Sequence, residues 1–173
     1  RAKAAAVTAG AMAGRGAQRR RDRPGAPGNV AELPTRRYLV AIDYVTDTHG
    51  LIWYLEDRPL LGVQAKAAFD SCDRGECSIY IPTICLVEIV YLQEKGRIAP
   101  QLFERLSAAL VAGRTGLRLI DLTLQVAISM AHIGRAEVPD MPDRIVAATA
   151  VHLGLPLISR DRRIQLSSVP TVW

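Results

Sequence analysis

The chain has 173 residues, 49% of them hydrophobic, which suffices for one domain whose core needs no disulfide or metal staple. Its net charge of +5 divides unevenly: residues 1–37 hold nine Arg and Lys against two acids, and residues 38–173 hold thirteen against fifteen. The folded part is thus mildly acidic, so high overall charge gives no argument for nucleic-acid binding, and the lack of any apolar run near the roughly 20 residues that span a bilayer excludes a membrane helix.

Residues 1–37 are Ala, Gly, Arg and Pro with almost no large apolar side chain, and cannot bury enough surface to fold alone. They are expected to be a disordered basic extension. An RNA-attracting arm, an organelle-type transit segment and upstream sequence joined through a wrongly placed start are the three interpretations. The missing initiator Met and the abrupt change of composition at Arg36 favour the third, and no apolar stretch follows the charges as in a secretory signal.

From Tyr38 onward, short apolar strands alternate with helical stretches, the signature of an α/β fold with a mainly parallel sheet covered on both faces. Strands are predicted near 40–46, 78–81, 117–120, 156–159 and 169–172, and helices over 48–55, 60–72, 83–95, 99–112, 123–133 and 142–153. Gly75, Gly96, Gly113, Gly116, Gly134 and Gly154 fall at or just past the helix ends. The cysteines Cys72, Cys77 and Cys85 are odd in number, form no CxxC and have no histidine at zinc-finger spacing. They read as core or surface thiols of a cytoplasmic protein.

Asp47, Glu88, Asp143 and Asp161 each fall where a strand ends or a helix begins. In a parallel sheet those places share one edge, so acids remote in sequence can meet in one cleft. Clustered carboxylates repel one another unless a cation sits among them, which points to a Mg²⁺-dependent phosphodiester-cleaving site. In the segment 142–161 a helix of about 12 residues descends about 18 Å and a strand of about six climbs back about 20 Å. Asp161 is thereby returned to the level of Asp143, with Pro142 expected at the first helical position. Thr83 is the expected N-cap of the next helix after Pro82, and Glu88 lies among Ile84, Leu86, Val87, Ile89 and Val90 as a lone charge in a mostly buried helix.

Each acid also has a plainer explanation. Asp143 could complement a helix dipole, Asp161 could be a turn residue paired with Arg160, Arg162 or Arg163, and Glu88 could face solvent. Convergence of all four is what favours a site. Asp43 and Asp140 rank below their neighbours, Asp140 as an auxiliary ligand or capping residue, and His49, His132 and His152 read as packing or hydrogen-bonding residues. Phosphate-binding loops of the GxxxxGK[ST] type and GxSxG elbows are missing, and Lys66 and Lys95 are the domain's only lysines.

The stretches DTHGLIWYLED (47–57), IYIPTICLVEIVYLQEKGRI (79–98), PDRIVAATA (142–150) and LISRD (157–161) together resemble the PIN domain family, more closely its VapC-type toxin ribonucleases. The resemblance covers nearly everything from Tyr38 to Trp173. It implies a three-layer α/β/α sandwich that cleaves RNA with Mg²⁺ or Mn²⁺. It also implies catalytic, metal-holding roles for Asp47, Glu88, Asp143 and Asp161, with Thr48, Thr83, Asp140 and Ser159 as auxiliaries. An antitoxin protein and a second copy of the chain are the implied partners, with no membrane. The basic extension is the main departure from compact members of the family. A non-catalytic RNA- or protein-interaction module and a DNA-directed nuclease are the alternatives.

Overall fold

The computed structural model describes residues 42–113 and 116–173, and the expected basic extension over 1–37 lies outside them. Five strands, β1 (Tyr44–Thr46), β2 (Ile79–Pro82), β3 (Leu117–Ile120), β4 (Leu157–Ile158) and β5 (Thr171–Val172), pair in the order β3-β2-β1-β4-β5. Every pairing is parallel, with Val45 opposite both Tyr80 and Leu157. Successive strand residues face opposite sides of a sheet. Val45 and Thr46, like Leu157 and Ile158, are nonetheless all fully buried, so helices cover both faces as an α/β/α sandwich requires.

The helices are α1 (Thr48–Leu55), α2 (Val63–Asp73), α3 (Thr83–Glu94), α4 (Leu102–Ala112), α5 (Leu124–Met130), α6 (Met141–Leu153) and α7 (Arg162–Gln165). Phe69, Leu51, Ile79, Ile81, Ile89, Leu102 and Leu106 form the centre of the core. α6, whose run Ile145–Ala150 is buried throughout, packs against α5, α3, β1 and β2. Because the chain moves from β1 to β2 and β3 on one side and then places β4 on the other, the order reverses beside β1. Such a reversal opens a crevice at the carboxyl edge.

The structure departs from the sequence-based expectations at several ends. Residues 40–41 of the strand predicted over 40–46 lie outside the described residues, and β1 is formed by Tyr44–Thr46; the paired parts of β4 and β5 are shorter than predicted, although Asp47 N–H still donates to Ile158 O at 3.0 Å and Ser159 N–H to Val172 O at 3.3 Å. Thr83 is not an N-cap: Pro82, still paired with Ile120, holds the extended capping position and α3 begins at Thr83 itself. Pro142 occupies the second helical position, after Met141, with Asp140 at the N-cap making no side-chain capping bond. α5 stops at Met130 rather than near residue 133: beyond it the backbone closes in tighter turns, His132 N–H donating to Ser129 O at 3.1 Å and Ile133 N–H to Met130 O at 3.2 Å, and the Arg144 guanidinium donates to the carbonyls of Met130 at 3.2 Å and Ile133 at 3.0 Å. α7 was not expected, since one turn is too short to show a periodicity.

Candidate active site

Asp47 follows β1 and caps α1: its Oδ1 accepts the Gly50 N–H at 2.6 Å, satisfying one of the helix's unpaired donors. Gly50 permits this approach, because a Cβ there would lie 3.0 Å from the same oxygen. Asp47 is only 6% exposed, and burial raises its pKa. The Ser159 hydroxyl, the Gly50 amide and the nearby His49 oppose that rise, whereas Asp161 adds to it. Ser159, fully buried after β4, also accepts the Asp161 N–H at 3.1 Å. One hydroxyl thereby ties two acids that lie 114 positions apart to the end of β4.

Asp161 is the N-cap of α7, its Oδ1 accepting from Arg163 N at 2.8 Å and Ile164 N at 3.1 Å. It is therefore held by backbone amides rather than paired with the neighbouring arginines. Both bonds use one oxygen, so Oδ2 is left for another partner.

Glu88 is half-buried, and its helix is less enclosed than its sequence suggested: Val87 is 62% exposed and Tyr91 58%. The partner that a half-buried carboxylate needs is the Thr48 hydroxyl, which donates to Glu88 Oε2. Burial raises the Glu88 pKa, opposed by the Thr48 hydroxyl and His49, with Asp140 and Asp47 adding to the rise.

Asp143 stands in the first turn of α6 and receives no hydrogen bond from any described residue. Burial, followed by the charges of Asp161, Asp140, Glu88 and Asp47, pushes its pKa up to about 7. Arg144, next in sequence, does not relieve it, since its guanidinium is committed to the end of α5. The ion pairs among the described residues, Arg58–Glu56, Lys66–Asp70 and Arg74–Glu76, also leave the four acids without a cation.

Asp47, Asp143 and Asp161 line one cleft of about 530 Å³ together with His49, Trp53, Arg160, Arg162 and Arg163. Glu88 does not line it, and joins the group through Thr48 and through charge. Thr83 makes no side-chain hydrogen bond in the described part, and Asp43 belongs elsewhere, accepting the Ser78 N–H at 2.7 Å at the start of β2. The sequence assigns His49 a packing or hydrogen-bonding role, and Trp53 falls within the helix expected over 48–55. Their spacing of four along α1 was the signal that they share a face.

The donor set is all hard oxygen, and Asp143 combines partial burial, four repelling neighbours and no hydrogen-bond donor. That environment fits a hard divalent cation. Among the described residues no three His, Cys, Asp or Glu side chains are close enough to chelate one ion by themselves. The fit is therefore to an ion held by one or two carboxylates and completed by water or phosphate, as Mg²⁺ usually is.

Fold and site together define a parallel α/β protein with an oxygen-donor acidic cleft over the carboxyl edge of its sheet. The family model of the PIN domain matches residues 44–169, and the chain belongs to the PIN domain family. It is 27% identical over 130 residues to Ribonuclease VapC22 of Mycobacterium tuberculosis, covering 73% of this chain and 95% of that protein. Its fold is similar to VapBC2 from Rickettsia felis bound to a DNA fragment from its promoter, with a TM-score of 0.58 at 16% identity over 76% of this chain and 98% of the other. DNA-bound VapBC from Salmonella typhimurium gives 0.57 at 19% identity, over 76% and 97%.

Proposed function

We propose that this chain is a metal-dependent endoribonuclease and the toxin of a toxin–antitoxin pair. The observation that carries the proposal is Asp143: a half-buried carboxylate with no donor, in a cleft shared with Asp47 and Asp161, its pKa pushed up to about 7 by burial and then by the charges of the acids around it. Membership in the PIN family and similarity to a ribonuclease support the same reading. Of Asp47, Glu88 and Asp143, one or two would ligate Mg²⁺ or Mn²⁺ and the remainder would orient it through charge, and Asp161 would bind a second ion or position water. When bound, the ion supplies a lowered pKa for water and offsets charge developing on the phosphorus being attacked.

The chain's own contribution is preorganisation. Gly50 and Ser159 fix Asp47, the α7 amides fix Asp161, and Thr48 fixes Glu88. Arg160, Arg162 and Arg163 supply the local positive charge that a mildly acidic domain needs to draw a phosphate backbone into the cleft. The same acids are the surface to which an antitoxin would present an Arg or Lys. Action in the cytoplasm as a homodimer belongs to this reading, and no described helix is long and apolar enough to cross a membrane.

The test is incubation of the full chain with structured RNA in Mg²⁺, with and without EDTA. Cleavage in Mg²⁺ that stops in EDTA is expected. Cleavage indifferent to EDTA would remove the metal, and no cleavage with any divalent ion would remove the nuclease.

Thr48→Val keeps the buried shape but deletes the hydroxyl that serves Glu88. The expected loss is roughly 10- to 100-fold in rate, the range for partners that orient ligands. Because that hydroxyl holds the Glu88 pKa down, the rate profile should also move to higher pH. An unshifted profile at wild-type rate would detach Glu88 from the reaction.

A further inference from the structure

We propose that Trp53 and Arg160 form a subsite for one unpaired nucleobase beside the acids, so that RNA is cut next to a base stacked on the Trp53 ring. This rests on the nuclease reading above.

Trp53 stands four residues after His49 on α1, and the two rings meet at 5.7 Å between centroids and 50° between planes. The half-buried Trp53 lines the acidic cleft, and it also walls two adjoining cavities of about 240 and 590 Å³. Three cavities therefore meet at one indole, where an ordinary core tryptophan would be enclosed. One side of the ring is set by Trp173, edge-on at 5.5 Å and 72°. Trp173 can lie there because residue 62 is glycine: a Cβ would come within 2.5 Å of the Trp173 ring. Packing explains that contact but not the surface Trp53 turns to the cleft.

Arg160 lies over this ring, its guanidinium carbon 5.7 Å from the centroid, near the outer limit of a cation–π contact. The Arg160 side chain is exposed and makes no hydrogen bond or ion pair with any described residue. A flat base between the two planes needs roughly 7 Å, two stacking distances of about 3.5 Å. Arg160 thus has to move outward by little more than about 1 Å. A neutral base can sit next to carboxylates that would repel a phosphate, while Arg162 and Arg163 in the same cleft suit the phosphates on either side. Only an unpaired base has its face free for such stacking, which directs the site to single-stranded segments and loops.

The full chain carrying Asp47→Asn, to spare the substrate, is titrated with a homopolymeric single-stranded oligoribonucleotide and with abasic ribose phosphate of equal length. Adding Trp53→Leu should weaken binding of the first roughly 5- to 100-fold, the range carried by stacking of one base, and leave the second unchanged. Trp53→Phe should restore part of the loss, and Arg160→Gln should show the same base dependence to a smaller extent. The Phe and Gln variants decide the matter if the Leu variant fails to fold. Equal loss on both ligands, or none on either, overturns the subsite. Wild-type protein that cleaves RNA while showing no base dependence loses the subsite alone, whereas wild-type protein that neither binds nor cleaves RNA loses both proposals.

Discussion

Asp47→Asn is expected to abolish RNA cleavage without lowering the stability of the fold, and Asp47→Ala to abolish it while being measurably less stable than Asp47→Asn. The contrast follows from the two jobs of one side chain. As a ligand, Asp47 contributes a charge and a hard oxygen that Asn does not replace, so the loss should exceed the roughly 10- to 100-fold typical of residues that merely orient ligands. As the N-cap of α1, it contributes an oxygen to Gly50 N–H, which an Asn side chain also supplies. Alanine supplies neither, and loss of such a cap costs about 1 kcal/mol. Cleavage rates and urea midpoints on the full chain separate the two roles. Substantial cleavage by folded Asp47→Asn protein would take Asp47 out of the site.

The parts of the molecule legible in the sequence are those set by a local pattern. Runs such as Ile79–Pro82 and Leu117–Ile120 announce strands by composition, and the junctions after β1 and β4 place Asp47 and Asp161 at one edge because those two strands run parallel side by side. The 13 residues of α6 return the chain far enough for Asp143 and Asp161 to share a cleft. What sequence could not show depends on contacts between distant segments. Thr48 and Ser159 stand out in the motifs as auxiliaries, but that the Thr48 hydroxyl reaches Glu88 across 40 positions and that Ser159 ties Asp47 to Asp161 has no local signature. The carbonyl at the end of α5 is met by Arg144 from another helix.

Glu88 illustrates the limit of counting apolar neighbours. Five surrounded it in sequence, which suggested an enclosed helix, yet α3 buries only Cys85 and Ile89 and leaves Val87 and Tyr91 largely exposed. A helix apolar all round does not say which face meets the core. Burial here is decided by the packing of α1, α4 and α6 against α3, a tertiary fact.

In the absence of divalent metal, the protein is expected to become less stable as pH rises toward neutrality, the reverse of ordinary acid denaturation. Asp143 has a folded-state pKa of about 7 against an ordinary value of 3.8, and those of Asp47 and Glu88 are raised as well. Between those two values the folded Asp143 carboxyl keeps a proton that the unfolded chain has lost, so stability falls as pH climbs through the window and the penalty is complete above about 7. Melting in EDTA from about pH 5 to about pH 8 should therefore show a declining Tm. Asp143→Asn should flatten that decline and raise the Tm at the alkaline end by a few degrees, since each kcal/mol moves Tm by about 2–4 °C in a chain of this size. Mg²⁺ should stabilise the wild type most above pH 7, where the proton no longer competes, and should stabilise Asp143→Asn much less. An Asp143→Asn protein with an unchanged Tm in EDTA, or with an undiminished response to Mg²⁺, would mean that the repulsion among these carboxylates is relieved without the ion the site is proposed to hold.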